Sequence, residues 1–319
     1  MAPRRPHDLV PQIVTRLKPQ AKSLIITIYG DSVSAHGGCA WLGSVIRLAG
    51  PLGLNERAVR TSIFRLAKEG WLSAEQIGRR SYYRLTESGW RRCDAAHVRI
   101  YFPPAQSWDG RWTVVSIGHA GIEPDKRDAL RAELRWLGFG QLASGILIHP
   151  SPDEAALRQA IYDAGVSRQV LVMRAETESW VAPEAVRETL RASWDLERVA
   201  HGYAEFLDIF RPVWQALNGG GRPDPQTGFA IRTLLMHAFR RVLLRDPKLP
   251  DELLEADWPG TAARQLCRNL YKLVEQPAEQ HLLAELETAE GTAPDAHPSY
   301  FSRFGGLYGP SGERAPSAP

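Results

Sequence analysis

The sequence has few cysteines, no long apolar run and none of the short signatures that mark self-contained catalytic sites. Cys39, Cys93 and Cys267 are odd in number and widely scattered, which gives neither a disulfide framework nor a CxxC ligand pair for zinc. Reduced, structural thiols are expected. No stretch approaches the ~18 uninterrupted apolar residues of a membrane span, and no apolar core follows the basic, proline-rich "MAPRRPHDLVPQ". The expectation is a cytoplasmic protein with no membrane contact. GxxxxGK[ST], GxSxG and HExxH are missing, which excludes a phosphate loop, a nucleophile elbow and a metalloprotease helix. No catalytic residue, metal or cofactor is therefore expected. Cys39, beside Gly38 and near His36, superficially suggests a nucleophile but reads as part of a loop between the first two helices.

What is present is ample core material. The 319 residues are 44% hydrophobic and 24% charged and include ten tryptophans, more than one typical core can use, so two or three domains are expected. The formal net charge of +3 conceals an asymmetry: residues 1–100 hold 16 Lys and Arg against 7 Asp and Glu, an excess of +9, which leaves −6 for the remainder. Clustered positive charge is the footprint of a polyanion-binding module, although a single basic run is more often a solvated face.

Pattern decides between the two. In "NERAVRTSIFRLAKEGWL" (Asn55 to Leu72) the helical period gathers Val59, Ser62, Ile63, Leu66 and Gly70 in one sector. Arg57, Arg60, Thr61, Phe64, Arg65 and Lys68 fall opposite. Asn55 is a plausible N-cap and Gly70 a plausible stop. Two short apolar segments precede this helix, "SLIITIYGDSV" and "AWLGSVIRLAGPLG", the second ending on Pro51 and Gly53, which impose a turn. Two strand-like runs follow, "WLSAEQI" and "SYYRLT", joined by Gly78, Arg79 and Arg80. Three helices and a hairpin make a winged helix, with the third helix in the major groove and the wing on backbone or minor groove. Arginine suits the task because its planar fork bonds guanine O6 and N7 or clamps phosphate. The candidate DNA-binding residues are Arg57, Arg60, Thr61, Phe64, Arg65, Lys68, Arg79 and Arg80. Phe64 would touch a thymine methyl or pack beneath the wing.

The run from Ser23 to Gly89 resembles the amino-terminal domain of the PaaX family, transcriptional repressors of bacterial phenylacetate degradation. "RIYFPP", "WDGRWTVV", "LRWLGFGQLASGILIHP" and "LLMHAFRRVLLRDPKLPDELLEADWPG" resemble its middle and carboxy-terminal segments, so the similarity spans roughly residues 20 to 280. The resemblance implies a homodimeric repressor of operator DNA, with a ferredoxin-like central domain similar to a CRISPR-associated spacer-acquisition subunit, a helical carboxy-terminal domain, and phenylacetyl-CoA as effector.

The residues of the middle agree. "RWTVVSIG", "SGILIHP" and "RQVLVMRAE" read as strands, and "PDKRDALRAELRWLG" and "SPDEAALRQAIYDAG" as helices. Two helices on one face of an antiparallel sheet would leave the other face to a second copy of the chain. From Pro183 onward helical patterns dominate, with "NGGGRPDPQTG" a flexible connector, and the Pro-, Gly- and Ser-rich residues beyond Glu287 suggest a loosely ordered tail. The fold class is thus α+β and multidomain: a winged helix-turn-helix over 1–100, a ferredoxin-like α/β dimerisation domain over 101–180, a helical effector domain over 181–287 and a flexible tail over 288–319.

A coenzyme A thioester needs cations for its phosphates, a stacking partner for adenine and an apolar pocket. Arg232, His237, Arg240 and Arg241 on one helix could serve, with Trp108 or Trp258, although the adjacent arginines point about 100° apart. The competing reading is a metal-dependent nuclease or nucleic-acid-processing protein built on the central domain, with Asp109 or Asp125 on Mg²⁺. No paired carboxylate supports it.

Overall fold

The computed structural model describes residues 6–102, 108–118 and 121–307. The chain begins with α1 (Pro6–Leu17) and α2 (Ala21–Thr27), which runs on into a wider π-helical turn over Ile28–Ser32. Next come β1 (Cys39–Trp41), α3 (Leu42–Ala49), α4 (Glu56–Lys68), β2 (Leu72–Ile77), β3 (Arg80–Leu85) and α5 (Glu87–Tyr101). The middle of the chain forms β4 (Arg111–Ser116), α6 (Pro124–Trp136), β5 (Gly140–Ala143), β6 (Ile146–His149), α7 (Glu154–Asp163), β7 (Leu171–Glu176) and α8 (Pro183–Ser193). Three long helices follow, α9 (Leu196–Asn218), α10 (Pro225–Leu243) and α11 (Pro259–Glu285). A small hairpin of β8 (Glu287–Thr288) and β9 (Gly291–Thr292) and the single turn α12 (Pro298–Phe301) complete the described elements.

Two compact units result, and they interleave along the chain. One joins the residues up to 103 with Ala204–Leu243 and the segment from Thr261 onward; the other joins Pro104–Tyr203 with Leu244–Gly260. The consecutive segments expected from sequence are therefore not the packing units, because the helices after residue 204 bury their apolar faces with the amino-terminal elements. Cys39 lies in β1, not in a loop, and is buried. Burial pushes its thiol above the ordinary range, which removes the nucleophile reading.

In the second unit the sheet is antiparallel with order β5-β6-β4-β7, the strand order of a ferredoxin-like β-α-β-β-α-β unit. On one face Val115, Ile117 and Leu147 meet Leu130 and Leu134 of α6 and Leu157 of α7. On the other, Trp112 and Ile148 meet Leu190 of α8, Trp194, Leu249 and Leu253. The part of this second face around Trp112 and Ile148, expected to await another copy of the chain, is covered by the chain itself, whereas β7 is exposed along its whole length. Trp194 donates from its indole nitrogen to the Gly138 carbonyl at 2.7 Å and lies so close over Gly140 that a Cβ there would stand 2.4 Å from the ring. A side chain at residue 140 would expel the indole.

The first unit is built around a buried ionic cluster. Asp31, 4% exposed, sits in the π-helical turn. Its carboxylate accepts from the Tyr101 hydroxyl at 2.5 Å and the Tyr271 hydroxyl at 3.1 Å, and lies 3.2 Å from the Arg232 Nε and 3.5 Å from the Arg303 Nη1. Arg232 reaches onward to Glu279 at 2.5 Å and to the Ser32 hydroxyl at 2.8 Å, and Glu279 in turn pairs with His36 at 2.9 Å. The loose tail expected beyond Glu287 is thus corrected over 288–307: Tyr300, Arg303 and Leu307 are buried, and Arg303 donates to the Asp31 carbonyl. Tail residues 308–319 lie outside the described residues.

These burials have a pH signature. Desolvation, assisted by Arg303 at His97 and by Arg240 and Arg241 at His237, lowers both imidazoles to about 4. Burial tends to raise the Glu279 carboxyl, but Arg232 and His36 outweigh it and hold it at about 2. Below the ordinary histidine value of 6.5 the unfolded chain takes up protons that the folded imidazoles refuse. Their contribution is therefore lost as pH falls from 6.5 toward 4, and that of Glu279 as pH falls from 4.5 toward 2. The apparent melting temperature should drop by several degrees between pH 7 and pH 4; a flat profile over that interval would contradict this assignment.

Candidate nucleic-acid interface

Helix α4 is fixed at both ends by its own sequence. The Asn55 side chain accepts from the Ala58 amide at 2.8 Å, satisfying one of the free amides of the first turn. At the other end Gly70 adopts φ +73, its amide bonds the Ala67 carbonyl and the Trp71 amide bonds the Leu66 carbonyl, a Schellman closure that a Cβ would strain. The Gly50–Leu52 turn and Gly53, at φ +83, aim the chain from α3 into α4. Val59, Ser62, Ile63 and Leu66 are buried, with α2 and α3 packed against the helix.

The opposite face is in solvent. Arg57, Arg60, Thr61, Phe64, Arg65 and Lys68 are all exposed. Arg60 pairs with Glu56 one turn earlier at 2.6 Å, both side chains being more than half exposed. Such a pair contributes only ~0.3 to 0.5 kcal/mol and yields readily to a phosphate. Arg57, Arg65 and Lys68 form no ion pair with a described residue. Phe64 is 68% exposed and does not pack beneath the hairpin.

Beside α4 stands the β2–β3 hairpin, paired Ile77 to Arg80 across a two-residue turn. Gly78, at φ +60, takes the first turn position, where the twist of a hairpin asks for a residue without a Cβ. β1 joins the far side of β3 and completes a three-stranded sheet. Arg79 at the tip is exposed. Arg80 is exposed too, but it is tied to Glu287 and its guanidinium lies 4.4 Å from the Trp41 ring centroid. Arg84 pairs with Glu290, and Arg47 with Glu285 at 2.5 Å and Glu287 at 3.6 Å. Three glutamates around the β8–β9 hairpin thus compensate Arg47 of α3 and Arg80 and Arg84 of β3. Sequence reading missed Arg47, Arg84, Trp41 and these acids, because partners some 200 residues apart leave no trace in local spacing.

The expected effector residues are not gathered on one surface. Arg232 and His237 are completely buried, Arg232 being spent on Asp31, Glu279 and Ser32. The His237 Nδ1 stands 3.4 Å from the Thr27 hydroxyl. Arg240 donates to the Ser23 carbonyl at 3.1 Å and Arg241 is exposed. Trp108 and Trp258 belong to the other unit, where Trp108 packs edge-on against Trp112 and Trp258 against Tyr203. Asp109 caps the Arg111 amide at 2.9 Å and Asp125 occupies the first turn of α6. Among the described residues no three His, Cys, Asp or Glu side chains are grouped to hold a metal, and no helix is long and apolar enough to cross a membrane.

A cationic helix face held out by a buried apolar stripe and flanked by a basic hairpin has the charge distribution that polyanion-binding surfaces share. Comparison with known proteins narrows the class. Family profiles match along the chain: "PaaX-like protein" over residues 20–89, "PaaX protein central Cas2-like domain" over 105–187 and "PaaX-like protein C-terminal domain" over 194–284. The curated protein "Transcriptional repressor PaaX" of Escherichia coli strain K12 is 38% identical over 286 residues, covering 89% of this chain and 90% of that protein. The chain belongs to the PaaX family. Among solved structures, the uncharacterized protein Rv0674 from Mycobacterium tuberculosis shares the fold, with a TM-score of 0.54 and 23% identity over 83% of this chain and 99% of that one.

Since the Asn55 cap holds the α4 entry, Asn55→Ala should lower stability by about 1 kcal/mol in denaturant titrations. An unchanged unfolding midpoint would mean that the cap contributes nothing.

Proposed function

We propose that the protein is a dimeric winged-helix repressor of phenylacetate catabolic genes, released from its operator by an aryl-CoA thioester such as phenylacetyl-CoA. As a PaaX-family member it is a transcriptional repressor, not an enzyme. The exposed cationic face of α4 carries the DNA-binding half of the reading. In this docking Arg57, Arg60, Thr61 and Arg65 face the major groove, the exposed Phe64 meets a thymine methyl, and Arg79 reaches backbone phosphate. Two such helices, spaced by ~34 Å or a multiple of it, read an inverted repeat. The thioester must prefer the dimer in which that spacing is wrong, with a coupling of ~1 to 3 kcal/mol and a ~5- to 150-fold loss of operator affinity. Family membership and the shared chain length support the regulatory half, and the protein acts in the cytoplasm, where its DNA is.

Gel-shift titrations test the docking. Arg57→Ala and Arg60→Ala should each weaken specific binding by ~1 to 3 kcal/mol and relax base preference, whereas Arg79→Ala should reduce the salt slope by about one. Normal binding by all three would exclude this surface.

The acidic hairpin supplies a second check. Releasing Arg80 with Glu287→Gln should strengthen DNA binding at low salt and steepen its salt dependence. No change would show that Arg80 lies outside the footprint.

For the regulatory half, phenylacetyl-CoA but not phenylacetate should abolish the shifted band, and ultracentrifugation at micromolar protein should show a dimer. A monomer there, or release by the free acid alone, would overturn the corresponding part.

A further inference from the structure

Arginines inside the first unit differ in what they face. Arg232 and Arg303 are completely buried, and both stand against the Asp31 carboxylate. Arg240, further along α10, is half-buried and forms no ion pair with a described residue. Its Nη2 donates to the Ser23 carbonyl at 3.1 Å and to the Ser23 hydroxyl at 3.2 Å, while its Nε, shut off from solvent, has no partner. Burial opposes the charge of all three. At Arg232 and Arg303 the surrounding tyrosines and carboxylates outweigh it and raise the pKa; at Arg240 Cys93 and Tyr101 do not, and the pKa falls. A guanidinium keeps its proton near neutral pH, so the opposite sign marks a cation short of compensating charge.

Arg240 lines a cavity of about 40 Å³, bordered also by Thr27 and Gly30 of α2 and its π-helical turn and by Cys93 and His97 of α5. The His97 Nε2 is a second buried nitrogen without a partner. Burial holds this imidazole neutral, its pKa lowered to about 4, and in the Nε2–H tautomer it is a donor. Two N–H groups from different helices thus border one atom-sized space. Asp31 borders it too, but its oxygens are spent on Tyr101, Tyr271, Arg232 and Arg303. The exposed Arg92, its guanidinium 4.8 Å from the Trp71 ring centroid, adds a second cation at the rim.

We propose that this cavity is a binding site for a small monovalent anion of chloride size, held by the Arg240 Nε–H and the His97 Nε2–H. Its volume favours a monatomic ion over phosphate or a carboxylate. A water could meet the two donors but not the charge. The ion joins α10 to α5 beside α2, and α2 packs on α4, so it stabilises the support of the cationic helix without touching that helix's exposed face.

Thermal melts of the full-length protein at constant ionic strength, with sodium gluconate replaced stepwise by sodium chloride, test the site. The wild type should gain roughly 2 to 4 °C, with a saturating dependence on chloride. Arg240→Gln should abolish the gain. Arg241→Gln, which removes the same charge from the exposed neighbour, should keep it. A wild-type curve without a saturating rise would mean that the cavity holds water, and a rise that Arg240→Gln retains would place the ion elsewhere; either overturns the proposal. Wild-type crystals grown in bromide give a reading that needs no variant. Anomalous density is expected beside the Arg240 Nε, and a cavity without it would equally overturn the site.

Discussion

A carboxylate removed from water must be met by donors on every side, and Asp31 is so placed that no single helix can supply them. Its partners Tyr101, Arg232, Tyr271 and Arg303 come from α5, α10, α11 and the turn that follows α12. Removing one partner of a buried ion pair typically costs ~3 to 5 kcal/mol, because the remaining charge is left unpaired. The ensemble closes on itself: Arg232 divides its guanidinium between Asp31 and Glu279, and Glu279 has His36 as its second partner. The π-helical turn at Ile28–Ser32 thereby becomes the junction through which the carboxy-terminal helices hold the elements beneath α4.

Electrostatics at the surface follow an opposite logic. The cations of α4 are left to solvent, apart from the weak Arg60–Glu56 pair. Arg47 of α3 and Arg80 and Arg84 of β3 are matched one by one by Glu285, Glu287 and Glu290. The +9 excess of the first hundred residues is thus divided into a fraction available to a polyanion and a fraction already neutralised by the same chain. Phosphate contacts work by charge, so the first fraction is the one open to a polyanion.

What the sequence disclosed was whatever local geometry encodes. Asn55 and Gly70 bound α4 as their chemistry requires, the helical period separated Val59 and Ile63 from Arg57 and Arg65, and Gly78 marked the hairpin turn. Three strands of the central sheet were legible as β-branched or aliphatic runs, whereas β5, "GQLA", carries no β-branched residue and is a strand because β6 pairs with it. Burial of charge was illegible. Arg232 reads as a helix-surface arginine until Asp31, 201 positions earlier, is known to face it. Composition also misled: a segment rich in Pro, Gly and Ser looked unstructured, yet Tyr300 and Arg303 bring enough burial and hydrogen bonding to order the residues around them. The cover on the second sheet face escaped for a similar reason, since Trp194 and Leu253 lie outside the alternating pattern they complete.

The interleaving of the two units sets an order of events during synthesis. The elements around α4 leave the ribosome early, but Arg232, Tyr271 and Arg303, which satisfy Asp31, are translated roughly 200 residues or more later. At ~5 to 20 residues per second this is a wait of about 10 to 40 s. Throughout that interval the nascent amino-terminal segment carries Asp31 without the donors that satisfy it, and a polypeptide cut short before α12 would lack Arg303.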